Sequence, residues 1–488
     1  MNKNLLDVSK NRQMFLDDFV LERAINTSIS LHRPDSKGPV LFADKNFKQK
    51  SIQSRSAPQW NSDKNFWEYF YMSMGDNDVY QVRKYHYAIS KDGINWDKPD
   101  LGLYVGDGET NIVFDPSKNP SVENTDGLMH VIRDEIEQDP SRRYKGLFGC
   151  NIFLKDRKVG FSPDGLKWEF PDIPTIPSYD ESHLTYDEQS EQFIASVKLH
   201  TEWGRSVYLS TSKDFMEWSD PKLIFHADEI DNENRIKRIQ FAVDHPEYLA
   251  PPVIEDRGYT AQVYQMAIMP YQGIYIGFPL MLNPAGPSGN NFTGLNQTEL
   301  TVSRDLYNWE RVANRELFLG IEKWDSKNFG TGQLMPTSRP IIKDDGEIWI
   351  YYNAIRTRGL MELYPKDIQD FLNENIGSAI CLATLRPDGF VSLDAKNQGV
   401  VITKPIKINR NASIHINVDS TNGYLAAEVL DPVSMEPLPG YTFENCEKIS
   451  EDSTDKKINW KTNDKINNDI VRLKFILEKS SLYSFWSK

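Results

Sequence analysis

Acidic side chains stand at the entrances of several alternating apolar runs in this 488-residue sequence. Two carboxyl groups facing one another across a substrate have a defined chemistry: one protonates a leaving oxygen, and the other acts as base for water or as nucleophile. That division of labour breaks a glycosidic bond. The first candidate is Asp180, in Ser178-Tyr179-Asp180-Glu181-Ser182-His183, where an acid pair lies between a tyrosine and a histidine. Asp126 lies in Glu123-Asn124-Thr125-Asp126-Gly127 and Asp325 in Lys323-Trp324-Asp325-Ser326. Glu181, Glu299 and Asp18 complete the set of candidate catalytic residues. Asp180 and Asp126 are expected to form the acid/base pair, with Asp325 orienting the sugar. Arg339, His183, Gln333 and Trp324 are the expected substrate-binding residues, although Arg339 also suits a salt bridge that closes the fold. For each acid the competing reading is a solvated turn residue.

Acids so far apart in sequence meet only if the fold carries them to one place. A recurring phrase indicates how. It runs Tyr87–Trp96, Val159–Trp168, Val207–Trp218 and Leu300–Trp309, with a fifth copy at Ile380–Phe390 that keeps Asp388-Gly389 and loses the Trp. The first four copies are each an alternating strand, a tight turn of the form Ser-x-Asp and a Trp opening the next strand. Asp suits the turn because its carboxylate accepts backbone N–H groups, and Gly because it tolerates positive φ. A second apolar strand precedes each copy, as in Phe66–Tyr71, Tyr144–Phe148, Phe193–Val197, Gly273–Gly277 and Ile348–Tyr352. Five such units predict an all-β fold, a five-bladed β-propeller over residues 1–405. The candidate acids would then gather where the innermost strands converge on the axis. Residues 406–488 lack the phrase but keep short alternating runs separated by turns, which predicts a C-terminal β-sandwich. Two interruptions are expected: a short helix over 363–372, and a solvated loop over the charge-rich stretch 230–238.

Composition narrows the function. The formal net charge of −14 argues against a nucleic-acid partner, whose phosphates require a basic surface. The load of 11 Trp, 22 Tyr and 24 Phe suits strands, and also suits stacking on sugar rings. Cys150, Cys381 and Cys446 are far apart and read as free thiols in a reducing compartment. No apolar stretch approaches the length of a membrane span, and no signal-peptide pattern opens the chain, so the expected location is cytoplasmic. No metal-ligand spacing, nucleophile elbow or phosphate-cradling glycine loop occurs; the expectation is no cofactor and no metal, with a carbohydrate as partner.

The segments Phe15–Glu22, His32-Arg33-Pro34, Tyr87–Ser90, Asp92–Pro99 and Leu101-Gly102-Leu103, with Pro439-Gly440-Tyr441, Cys446, Trp460, Arg472-Leu473 and Leu482–Phe485, resemble bacterial proteins grouped with glycoside hydrolase families 32 and 43. The resemblance runs from Asp17 to Phe485 and implies a glycosidase acting through axial carboxylates. The Asn-Asp-Pro-Asn-Gly phrase that carries the nucleophile of invertase-type members is absent, as is an Arg-Asp-Pro triplet. Two other readings therefore stand beside the hydrolase: a glycan phosphorylase or transglycosidase on the same scaffold, and a non-catalytic glycan-binding propeller.

Overall fold

The computed structural model describes residues 5–47, 49–75, 84–104, 108, 110–115, 127–149, 155–253, 260–285, 293–461, 463 and 465–488. Asp126 and Cys150 lie outside the described residues. The described chain is almost entirely β-structure, with two α-helices, and none of its helices is long and apolar enough to cross a membrane.

The repeated phrase folds as its chemistry dictates. Asp92 Oδ1 accepts the backbone N–H groups of Ile94 and Asn95, and Ser90 Oγ accepts those of Asp92 and Gly93. The Trp96 indole donates to the carbonyl of Gly93 and so closes the turn. The same set recurs around Asp164, Asp214 and Asp305, with Trp168, Trp218 and Trp309 reaching back three residues. Gly93 and Gly165 take φ of 76°. In the copies that lack glycine, Phe215 and Leu306 adopt φ of 65° and 72°, and both are buried, so apolar packing offsets the unfavourable backbone.

The first four copies of the phrase lead from the third strand of a sheet to its edge, whereas the fifth leads into Val391–Thr403 of another sheet. The first sheet orders Ser51–Gln53 and Gln59–Asn61 beside Phe66–Met74, then Lys84–Ser90 and Ile112–Phe114. The second runs Leu128–Arg133, Tyr144–Phe148, Asp156–Ser162 and Ile176–Pro177, and the third Ser182–Asp187, Gln192–Thr201, Gly204–Ser212 and Lys222–Phe225. A fourth set, Gln262–Tyr271, Ile274–Pro284, Thr301–Ser303 and Trp309–Arg311, is joined through Gly294–Thr298 to a fifth by one parallel pairing, Asn296 with Gln333. The fifth comprises Gln333–Pro336, Ile348–Ile355 and Ser378–Leu385, and its outer place is taken by an N-terminal strand, Asp35–Phe42. Ends of the chain more than three hundred residues apart are thereby hydrogen-bonded into one sheet.

Beyond this set, the 18-residue strand Ile470–Ser487 is the spine of a further sheet, pairing with Val391–Thr403, Ile414–Asp419 and Tyr424–Leu430. N-terminal strands join it as well: Gln13–Met14 pairs with the spine, and Leu21–Ile25 and Ser28–Leu31 pair with Val391–Thr403. The C-terminal sheet therefore begins before residue 405 and recruits residues from the first thirty. One apolar core runs from Phe278, Phe318 and Ile350 into Leu473, Phe475 and Phe485, so the two parts share their interior.

The expected loop over 230–238 is instead part of helix α1, Glu229–Asp244. Asp228 and Asp231 form a reciprocal capping box at its start, which the charge density of the stretch concealed. The helix expected over 363–372 is α2, Lys366–Glu374, preceded by Pro365.

The turn carboxylates predict a stability effect. Asp305→Ala removes two backbone acceptor contacts and is expected to cost about 1–2 kcal/mol, measured as a lowered urea midpoint with an unchanged slope.

Candidate active site

The first strands of the sheets meet one another. Val131 donates to Ser56 Oγ, His130 Nε2 lies 3.0 Å from Ser182 Oγ, and His183 Nδ1 lies 2.5 Å from Ser338 Oγ. Ser56 pairs with Ser338 as an isolated bridge. At the centre, Arg55 grips Glu181 in a two-pronged ion pair, Nε to Oε2 at 2.5 Å and Nη2 to Oε1 at 2.7 Å, with both side chains buried. Burial pushes the Glu181 carboxyl up, but the Arg55 guanidinium outweighs it and holds the group below its ordinary value. Glu181 is thus an ionised carboxylate with both oxygens engaged.

Its neighbour Asp180 is different. About a quarter of its side chain is exposed, and Lys198, almost fully buried, meets it at 2.7 Å. Burial again opposes ionisation, while Lys198, with Arg205 and Arg157 beyond it, holds the Asp180 carboxyl well below the usual range. Tyr264 stands beside this pair: the Lys198 ammonium lies 4.0 Å from its ring centroid and the Arg358 guanidinium 4.7 Å. Tyr264 is the extra residue of a bulge in Gln262–Tyr271, where the register shifts between Val263 and Gln265. A bulge redirects the side chain it inserts. Burial, together with the Asp180 and Glu181 charges, raises the Tyr264 hydroxyl to about 12, so it remains a proton donor. The mouth therefore presents one accessible carboxylate, one protonated phenol and several cations. Near it, Asn296 Oδ1 is buried without a partner among the described residues, and His183 lies beside the Gln265 amide. Water or a ligand hydroxyl satisfies a buried acceptor of this kind.

Not every sequence candidate comes to this mouth. Asp180, Glu181 and His183 do. Gln333 does as well, its Oε1 accepting from Asn296 at 2.9 Å. Asp325 is exposed and turned into its own loop, where Oδ1 accepts from Lys327 and Asn328. Trp324 packs edge-on against Phe371 of α2. Glu299 is fully buried between Arg238 of α1 and Arg311, at 2.6 and 3.0 Å, and pins that helix to the fourth sheet. Asp18 is exposed beside the strand Leu21–Ile25 of the C-terminal sheet. Arg339 bonds the Tyr186 carbonyl and Glu188, beyond the far end of Ser182–Asp187, whereas Asp180 precedes the near end. Six to eight extended residues separate these points by about 20 Å. A cavity of about 460 Å³ lies at that far end, lined by Trp60, Trp67, Arg133, Tyr186, Glu188 and Arg339 among others. Its arginines are paired, with Asp63 and Glu188, although Arg133 Nε and Thr185 Oγ1 on its wall are buried without a partner among the described residues. Arg55, Lys198, Arg205, Tyr264 and Arg358 escaped sequence reasoning. The one available signal was the phrase Ser54-Arg55-Ser56-Ala57-Pro58, which echoes Thr337-Ser338-Arg339-Pro340. No cluster of three or more His, Cys, Asp or Glu suited to a metal ion occurs among the described residues.

No family model and no curated protein matches the chain. Among solved structures it is similar to a family 32 β-fructofuranosidase from Bombyx mori, at 12% identity and a TM-score of 0.40, covering 94% of this chain and 93% of that one. It is also similar to a structure described under family 130 mannoside phosphorylases and glycoside hydrolases that target β-1,2 mannosidic linkages in Candida mannan, at 12% identity and a TM-score of 0.42, covering 77% and 97%. A third is an N-acetylgalactosamine deacetylase from F. plautii in complex with blood group B trisaccharide, at 12% identity and a TM-score of 0.39, covering 73% and 95%. The neighbours include glycoside hydrolases.

Two stability predictions follow from the buried charges. Arg55→Met strands the Glu181 carboxylate and is expected to cost about 3–5 kcal/mol, whereas the double variant Arg55→Met/Glu181→Met recovers most of that loss, as read from urea midpoints. The second concerns pH. Burial, reinforced by the Arg55 charge, lowers His183 to about 3, and burial lowers His130 well below its ordinary value. Both rings are neutral in the fold and protonate more readily when unfolded. The unfolded chain therefore binds more protons between about 6.5 and the folded values, and stability falls as the pH drops through that window. Urea midpoints are expected to decline from pH 7 to pH 4, with a shallower decline for His183→Gln.

Proposed function

We propose that this chain is a glycan-acting enzyme of glycoside hydrolase type, working at the mouth where Asp180 lies. In this reading the five sheet units are the blades of a five-bladed β-propeller, and the C-terminal strands form a β-sandwich packed on it. The observation that carries the proposal is the contrast between adjacent acids. Glu181 is committed to Arg55, while Asp180 is ionised by Lys198, reaches solvent and stands beside the protonated Tyr264.

An ionised, positioned carboxylate is what the base or nucleophile of glycoside cleavage must be. Asp180 takes that role. The acid partner is assigned to Asp126, in the segment immediately ahead of Leu128–Arg133, whose His130 reaches the same line of first strands. Tyr264 donates a hydrogen bond to the sugar or to the oxygen being released. Glu181 acts as a positioning residue that fixes Arg55, and Asp325 shapes its loop. Asn296 Oδ1 and the amide of Gln265 serve as hydroxyl-binding groups in this reading, and a carbohydrate is a class of ligand that uses several of them at once.

A panel of aryl glycosides and oligosaccharides, assayed for released sugar in phosphate-free buffer, identifies the substrate. Turnover that requires added inorganic phosphate would make the enzyme a phosphorylase. On the substrate so found, Asp180→Asn is expected to lower kcat by about 10²–10⁴-fold in protein that circular dichroism shows to be folded, at a melting temperature lowered by the loss of the Lys198 counter-charge. Undiminished turnover in that variant would remove Asp180 from the mechanism.

A further inference from the structure

The chain carries 70 acidic against 56 basic residues, and two of its cations near Tyr264 have no carboxylate partner among the described residues. Arg358 is 9% exposed, its Nε has no partner, and its Nη1 has only a long contact of 3.5 Å to Gln333 Oε1. Its guanidinium lies over the Tyr264 ring. Arg205 opens the strand Gly204–Ser212 at the same mouth and donates to the neutral Gln262 Oε1 at 2.7 Å. Neither arginine has a carboxylate within ion-pair distance among the described residues. The two repel each other, which contributes, after burial, to holding Arg205 below its ordinary value. Among the described residues, and with the Arg55–Glu181 pair set aside, Lys198, Arg205, Arg157 and Arg358 gather around one accessible carboxylate, Asp180, so cations outnumber carboxylates there.

Buried guanidinium groups that repel one another and hold unused N–H donors are costly unless a ligand completes them. An arginine fork matches the planar or tetrahedral oxygens of carboxylate, sulfate or phosphate. A neutral sugar supplies hydrogen-bond acceptors but does not neutralise the charge. We infer that Arg205 and Arg358 form an oxyanion subsite within the glycan site proposed above, so that the ligand brings an anionic group to Tyr264, either as an acidic substituent on the sugar or as inorganic phosphate that joins the reaction. Lys198 belongs to Asp180 and sets the boundary between this subsite and the reacting carboxylate.

The test uses binding, so that it is independent of turnover. The full-length Asp180→Asn protein is titrated by calorimetry with glucuronate, galacturonate and inorganic phosphate, and with glucose and galactose as neutral counterparts. At least one anion is expected to bind about tenfold or more tightly than the neutral sugars, and Arg358→Gln and Arg205→Gln are each expected to weaken it by about tenfold or more. Binding of a uronate but not of phosphate places the anion on the sugar, and the reverse makes it the phosphate. If Arg358→Gln fails to fold, the more exposed Arg205→Gln carries the comparison. Equal binding of neutral and acidic sugars, anion binding that ignores both substitutions, or no anion binding would each overturn the subsite. The two proposals fail separately. Arginine-dependent anion binding without turnover of any glycoside sinks the enzyme reading alone, and turnover of neutral glycosides without anion binding sinks the subsite alone.

Discussion

The Arg55–Glu181 pair is the constraint on which the centre of this molecule depends. Arg55 occupies the gap between Ser51–Gln53 and Gln59–Asn61, where the first strand of its sheet is interrupted. Its carbonyl accepts the backbone N–H of Ser338 from the fifth sheet at 2.8 Å, while its side chain reaches Glu181 of the third. One residue thus ties three sheets across the middle of the fold. Removing both charges from water is expensive, and the cost is tolerable only because the pair is two-pronged and Arg55 Nη1 is also satisfied, by Gln53 at 3.0 Å. Such a pair favours one arrangement of the sheets over others more than it adds net stability.

That arrangement also separates two adjacent carboxylates. Side chains alternate about an extended backbone, so Asp180 and Glu181 point in different directions. One meets a guanidinium in the interior and is used up; the other meets an ammonium at the edge of solvent and is left available. Environment, rather than residue type, divides their roles. The histidines follow the same rule. His130 and His183 lie with ring centroids 5.8 Å apart amid Arg157 and Arg55, where a positive ring would be repelled, and both serve as neutral hydrogen-bonding groups.

What was legible in the sequence was local. The Ser-x-Asp turn carries its own hydrogen bonds within six residues, so the repeat and the strand pairs it joins are readable without knowing the rest of the fold. Asp180, Glu181, His183 and Gln333 were found because each sits at a strand entrance, a position that periodicity locates. Helix α1 was missed because its pattern is mixed. Asp231 and Arg238 face inward beside Ile239 and Ala242, while Ile230, Ile236, Phe241 and Val243 are exposed. Its inner face is bound in part by charge, through Glu299 and Arg311, which hydrophobic periodicity does not report. Glu299 was misplaced for the same reason: its partners lie tens of residues away on other elements. Lys198, Arg205 and Arg358 are single cations at strand ends, and only the three-dimensional meeting of those ends gives them meaning.

The two ends of the central line differ in what their charged groups meet, and this difference bears on function. At the far end Arg133 and Arg339 have their carboxylates, in a wall that mixes aromatic and aliphatic side chains with Asp134, Glu135 and Glu188. At the near end Arg358 lies over Tyr264 without a carboxylate among the described residues, and its Nε and Asn296 Oδ1 are buried without a partner there. Each such atom costs about 1–3 kcal/mol against a partnered one. That end also holds Asp180, the accessible, ionised carboxylate among the sequence candidates that converge there. A ligand that met these groups would remove the cost, and that coincidence is the physical basis for placing the chemistry at Asp180 and not in the cavity beyond.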